Sequence, residues 1–249
     1  MALSRQDRLS LSVQRFLGWL MFPFLGGLAV LLMRFALRYR VPGMREIRRQ
    51  FKTLIGKEKT PLLICANHLT MIDSAIIAWT VASNWTYWWR WRLFAWNMPE
   101  RRNFAHVLPL KIICYLLKCV PIIRGGPPHE TQKTMDKINY LMSECEAICI
   151  FPEGTRSKTG RINPDEPTYG VGRLVKAHEG TRVLCVYQRG NHQEKSSYLP
   201  KKGDVFYTDI DLIEPTSDSK GLRAVRDIST QIMQKLYDME QKYLATHRQ

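Results

Sequence analysis

Apolar and polar positions divide the chain into short hydrophobic runs and longer stretches with helical spacing. Runs of five or six mostly apolar residues at 62–66, 119–123, 147–151 and 182–187 read as buried strands, with 204–210 a weaker edge candidate. Between them, 73–82, 110–118, 131–144 and 171–178 carry helical patterns, and a longer helix is expected from about 219 to 244. Strands alternating with helices predict an α/β fold: a mixed, mainly parallel sheet flanked by helices. In such sheets chemistry gathers at the strand ends.

The front of the chain is patterned differently. Residues 16–33 form an uncharged run of 18, bounded by Arg15 and Arg34. As a straight helix the run is roughly 27 Å long, close to the hydrocarbon thickness of a bilayer. Pro23 and Gly26-Gly27 interrupt it and allow a shallow hairpin instead. No small-residue cleavage site follows, so a signal peptide is disfavoured. The next stretch carries Arg34, Arg38, Arg40, Arg45, Arg48, Arg49 and Lys52, which suits anionic headgroups. The expected organisation is a basic, apolar, membrane-associating segment at 1–59 and a catalytic-type domain at 60–249. Attachment is expected at the cytoplasmic face, either spanning or lying on the surface.

Charge sharpens this picture. Lys and Arg number 37 against 22 Asp and Glu, a net +15, which points to a polyanionic partner. Residues 1–60 hold 12 basic groups against 3 acids, a local +9. That front-loading favours docking on an anionic membrane surface over a nucleic-acid groove, and nucleic acid is not expected as a partner. Five of the seven tryptophans lie between residues 85 and 96, interleaved with Tyr87, Arg90 and Arg92. Such a cluster suits a water–lipid interface or the packed interior equally well. With 45% hydrophobic residues the chain has material for a full core. Its six cysteines lie mostly in apolar contexts without a C-x-x-C pair, and read as reduced core thiols rather than a zinc site.

Two motifs carry chemistry. The strand at 62–66 runs into Asn67-His68-Leu69-Thr70-Met71-Ile72-Asp73, where Thr70 and Asp73 have the spacing of a capping box at a helix start. With His68 in the loop and Asp73 in the first turn, the carboxylate can hold one ring nitrogen while the other faces a substrate hydroxyl as general base. The strand at 147–151 ends in Phe151-Pro152-Glu153-Gly154-Thr155-Arg156-Ser157. Pro152 stops the ladder, Gly154 permits close backbone approach, and Glu153 and Arg156 are placed to meet hydroxyl and phosphate groups.

Together these blocks resemble the glycerolipid, or lysophospholipid, acyltransferase family of the 1-acylglycerol-3-phosphate O-acyltransferase type. That family carries N-H-x-x-x-x-D and, about 80 residues on, F-P-E-G-T-R-S; here they stand as NHLTMID at 67–73 and FPEGTRS at 151–157. Between them Val120-Pro121-Ile122-Ile123-Arg124-Gly125 looks like the family's strand ending in a phosphate-binding arginine. The resemblance implies that His68 and Asp73 are catalytic and that Arg124, Glu153, Gly154, Thr155 and Arg156 bind substrate, with Gly154 and neighbouring amides as candidate oxyanion donors. It implies a lysophospholipid acceptor and an acyl-CoA or acyl-carrier protein donor, with no metal, no other cofactor and no covalent acyl-enzyme. The leading expectation is transfer to 1-acylglycerol-3-phosphate, giving phosphatidic acid. The same chemistry on a lyso-ornithine lipid, a glycolipid or a specialised polyene lipid is the alternative, and a non-catalytic anion-binding module a minor one. The family's last block usually reaches a proline, whereas Val183–Tyr187 here continues into Gln188-Arg189-Gly190. That departure bears on the acceptor rather than on the reaction.

Overall fold

The computed structural model describes residues 3–123, 125–165 and 167–247. Strands β1 (Leu62–Ala66), β2 (Trp96–Asn97), β3 (Ile148–Ile150), β4 (Arg182–Gly190) and β5 (Phe206–Ile213) form one sheet in the order β2-β3-β1-β4-β5. The first four are parallel to their neighbours, and β5 returns antiparallel along β4.

Helices cover both faces. On one face, Leu63 and Cys65 of β1 pack with Ile138 of α6 (Pro128–Ser143), Leu174 of α7 (Tyr169–Ala177) and Ile232 of α8 (Gly221–His247). On the other, Leu62, Ile64 and Ala66 pack with Phe51 and Ile55 of α2 (Met44–Ile55) and Ile77 and Val81 of α3 (Asp73–Val81). Alternate residues of one strand thus enter opposite cores, which is why it reads as an unbroken apolar run. Cys65, Cys149 and Cys185 sit buried in this sheet as free thiols, and Cys114, Cys119 and Cys145 are half-buried and also free.

The 119–123 run departs from expectation. It lies beside residues 97–101 but is reduced to isolated bridges, Asn97 to Cys119 and Glu100 to Ile122. Pro99 and Pro121 each lack the N–H that a continuing ladder requires. Strand β2, which the apolar pattern does not pick out, falls inside the tryptophan cluster.

That cluster divides three ways. Trp96 is fully buried on β2, and its indole N–H donates to Glu146 at 2.9 Å. Lys118, also fully buried, donates to the same Glu146 oxygen at 2.6 Å, and burial pushes its ammonium down to about 8. Trp88 stacks on Trp19 at 4.6 Å, while the Trp91 indole donates to the Arg15 carbonyl at 3.0 Å. Trp85 and Trp89, on α4 (Asn84–Trp89), stay exposed.

Pro23 does not break the N-terminal helix. α1 (Arg5–Leu31) runs through it and continues as a π-helical turn over Leu32–Ala36. The bond lost at an interior proline costs about 3 kcal/mol. Packing beside it offsets that cost: Phe22 is wedged against Tyr87, Trp91 and Phe94 at centroid distances of 6.1, 5.0 and 4.8 Å. Further along the same face, Gly18 lets α1 approach α5 (Leu108–Leu116) so closely that a Cβ there would lie 2.6 Å from the Leu116 carbonyl. Gln14 ties the pair by donating to the Tyr115 and Cys119 carbonyls, both at 2.9 Å.

Candidate active site

The parallel strands β1 and β3 end side by side, and their following loops meet at His68. The His68 imidazole Nδ1 lies 3.0 Å from Asp73 Oδ2. That same oxygen accepts the backbone N–H groups of Leu69 at 2.6 Å and Thr70 at 2.7 Å. The Thr70 hydroxyl closes the arrangement by donating to Asp73 Oδ1. The capping relation is therefore of a different kind from the one expected. Asp73 reaches back to the Thr70 amide, and the Thr70 hydroxyl binds the carboxylate rather than a backbone N–H. Asp73 is locked, and it in turn fixes the ring of His68.

Other contacts hold the imidazole in place. Its ring stacks on Phe151 at 4.0 Å with 13° between planes. The His68 backbone is gripped from the second motif: its N–H donates to Glu153 Oε1 at 2.8 Å, and its carbonyl accepts from the Ser157 N–H at 2.9 Å. Nδ1 is committed to Asp73, whereas no group among the described residues is hydrogen-bonded to Nε2. A ring held on one nitrogen and open on the other is the geometry a general base needs.

Glu153 has one oxygen engaged by the His68 amide. Burial pushes its carboxyl up to about 8, against the pull of that N–H and with a further push from Glu240 and Asp73. The shift favours the protonated form, which has an O–H to donate. Arg156 donates to the Ser197 carbonyl at 3.1 Å, and its other N–H groups have no hydrogen-bond partner among the described residues. Thr155 is exposed.

Gly154 has φ +72°, a left-handed conformation suited to glycine, and a Cβ there would come within 2.8 Å of Thr168 Cγ2. Its N–H donates to the Phe151 carbonyl at 2.9 Å, closing the turn after β3. Arg124 lies outside the described residues. Cys65 is no rival nucleophile, since burial pushes its thiol well above the ordinary range.

Two parts of the site have hydrogen-bonding roles that the sequence pattern does not show. Asn67 splices β1 to β4, its side-chain amide donating to the Gln188 carbonyl at 2.9 Å and its oxygen accepting the Gln188 N–H at 2.8 Å. The two bonds pin the end of β1 to the end of β4 just before the His68 loop. The second part is the loop after β4. Ser197 N–H donates to the Leu69 carbonyl at 3.0 Å and Met71 N–H to the Tyr198 carbonyl at 3.1 Å, so this loop lies along the His68–Asp73 turn. Buried Arg189 holds its base, donating to the carbonyls of Gln193 at 2.8 Å and Gly160 at 2.7 Å. Nothing in the hydropathy pattern of 191–200 signals that role.

An oriented imidazole, a carboxyl and a guanidinium are grouped at the ends of parallel strands, an arrangement suited to proton transfer in a group-transfer reaction. The chain belongs to the Acyltransferase family, whose model matches residues 38–189. It is an acyltransferase. Among solved structures, the crystal structure of the 1-acyl-sn-glycerophosphate acyltransferase PlsC from Thermotoga maritima matches with a TM-score of 0.46 and 15% identity, over 92% of this chain and 98% of that one. No curated protein matches the chain in sequence.

Proposed function

We propose that the protein is a membrane-associated lysophospholipid acyltransferase, moving a fatty acyl group from acyl-CoA or acyl-carrier protein to 1-acylglycerol-3-phosphate to give phosphatidic acid. The observation that carries the chemistry is the His68 ring, held through Nδ1 by Asp73 with Nε2 uncommitted. Nε2 takes the proton of the acceptor hydroxyl as its oxygen attacks the thioester carbonyl. The C–O bond forms, the C–S bond breaks, and the imidazolium returns its proton to the leaving thiolate. Asp73 stabilises the imidazolium between these steps. The donor is a co-substrate, and neither a resident cofactor nor a metal enters this scheme.

For the acceptor, the protonated Glu153 carboxyl donates to an acceptor oxygen, while Arg156 and Arg124 offer forked contacts to phosphate. The role of Arg124 rests on the family resemblance. A second reading keeps the chemistry and changes the acceptor to an ornithine-, sugar- or polyene-based lyso-lipid. It is favoured by the end of β4, which continues into Gln188-Arg189-Gly190 where the family's last block usually reaches a proline. Purified protein in detergent, given a panel of lyso-lipids with labelled acyl donors, separates the two. Arg124→Ala should raise KM for lysophosphatidic acid sharply, and Arg124→Lys should recover only part, since an ammonium cannot fork onto two oxygens.

The membrane reading rests on α1. Residues Arg5–Ala36 are long and apolar enough to cross a bilayer. One face packs on the body through Leu11, Gln14, Gly18, Phe22 and Gly26, and the other exposes Phe16, Leu20, Phe24 and Leu28. Leu108 and Ile112 of the neighbouring α5 are exposed as well. A helix fastened to the body along its length suits insertion into one leaflet rather than a span.

A further inference from the structure

A cavity of about 1290 Å³ opens where α1 ends, bounded by the turn at 37–45, α2 and the C-terminal end of α3. His68 and Asp73 lie at the opposite end of α3. Five arginines line the cavity: Arg34, Arg38, Arg40, Arg45 and Arg48. No Asp or Glu is among the described residues lining it. Arg48 is engaged, donating to the Trp79 carbonyl at 2.6 Å and the Thr80 carbonyl at 3.3 Å, where it meets the negative end of the α3 dipole. The other four arginines are exposed and pair with no carboxylate among the described residues.

Four unpaired guanidinia around one concavity repel one another unless an anion enters. The backbone adds an independent observation. Tyr39 N–H donates to the Met33 carbonyl at 2.8 Å to close the π-helical turn, and Arg38 stands in the left-handed position just before it with φ +57°. Glycine is the usual residue at such a helix end, and a side chain there is disfavoured. An arginine carried at that cost places a further charge on the cavity rim.

Most of the other lining residues are apolar. Val30, Phe35 and Trp85 line the same space, and Phe35 and Trp85 are 65% and 69% exposed. Arginines together with exposed apolar groups around one cavity match an amphiphile at a membrane surface. A wholly water-soluble phosphate has no use for the apolar groups. The exposed face of α1 leads directly to this rim.

We propose that this cavity binds the anionic headgroup of a bilayer phospholipid, as a lipid site separate from the catalytic one. The arginines take the phosphate, and Phe35 and Trp85 sit against the glycerol and upper acyl region. The inference rests on the membrane-associated reading and adds a defined headgroup site to it.

The test is co-sedimentation of the full chain with vesicles of phosphatidylcholine alone, and of phosphatidylcholine with phosphatidylglycerol. Wild type should bind the neutral vesicles through α1 and the anionic ones more tightly. Arg38→Gln combined with Arg45→Gln should cut binding to anionic vesicles by roughly 30-fold while leaving neutral binding and turnover in detergent unchanged. Arg223→Gln with Arg226→Gln on α8 removes the same charge elsewhere and should change anionic binding little. Equal loss in both double variants would reduce the site to diffuse charge and overturn the proposal. Displacement of anionic vesicles by free CoA would also overturn it, by assigning the cavity to a soluble phosphate. If wild type binds both vesicle types equally, the site fails while the membrane reading stands; if it binds neither, both fail.

Discussion

Replacing Asp73 by asparagine separates charge from geometry at the proposed base. The Asp73 oxygen facing His68 also receives the Leu69 and Thr70 amides, so three donors surround it. In the Asp73→Asn variant the new side-chain nitrogen cannot occupy that place, and must turn toward the Thr70 hydroxyl, which can rotate to accept. The side-chain oxygen then still receives Nδ1–H, and the reactive tautomer of His68 survives. What is lost is the charge facing the imidazolium. At the 3.0 Å separation observed, the pair is worth about 5.5 kcal/mol at an effective dielectric of about 20. The two backbone amides already spread part of the carboxylate's charge, and the neutral bond that remains recovers about 1 kcal/mol. About 3–4 kcal/mol of transition-state stabilisation should go, a fall in kcat of roughly 10²–10³. KM should hold and thermal unfolding should shift little. Release of free thiol from acyl-CoA in the presence of lysophosphatidic acid measures kcat, and calorimetry measures the unfolding. A folded Asp73→Asn protein within about threefold of wild-type kcat would refute the reasoning, as would a loss confined to KM.

Other outcomes follow from the same geometry. Glu153 is neutral below about 8, so KM for a phosphate acceptor should rise as pH passes that value, and Glu153→Gln should flatten the profile. Because its folded pKa is raised, its contribution to stability is complete below the ordinary carboxylate range and declines as pH rises toward about 8; denaturant titrations in the wild type and Glu153→Gln measure this. Asn67→Ala leaves the Gln188 N–H and carbonyl without partners at a buried splice, and should lower Tm by about 5–10 °C, read by calorimetry. Phe24→Gln with Leu28→Gln alters only exposed side chains, so Tm should hold while vesicle binding falls at least roughly tenfold. Gly18→Leu, forced against the Leu116 carbonyl, should instead lower Tm.

Strands with helices on both faces were legible because burial on two sides leaves a continuous apolar run, as at 62–66 and 182–187. The His68–Asp73 pair was legible because a strand, a loop and a helix start leave few places for two side chains five residues apart. Strand β2 was not, since it is two residues long and its pairing with β3 is a tertiary fact. The buried Lys118–Glu146 pair was equally hidden, as each residue taken alone belongs on a solvated surface. Pro23 misdirects because the chain signals a break that only packing against Trp91 and Phe94 overrides. The loop at 191–200 reaches the site through backbone hydrogen bonds, which no side-chain pattern encodes.

The central claim is that His68 is the base for acyl transfer to a lyso-lipid hydroxyl. Its most direct test is transfer of labelled acyl groups from acyl-CoA to lysophosphatidic acid by purified wild type and His68→Ala in detergent, with folding checked by circular dichroism. The account predicts labelled phosphatidic acid from wild type and a rate lower by roughly 10²–10⁴ from the folded variant. Near wild-type turnover by folded His68→Ala would contradict it.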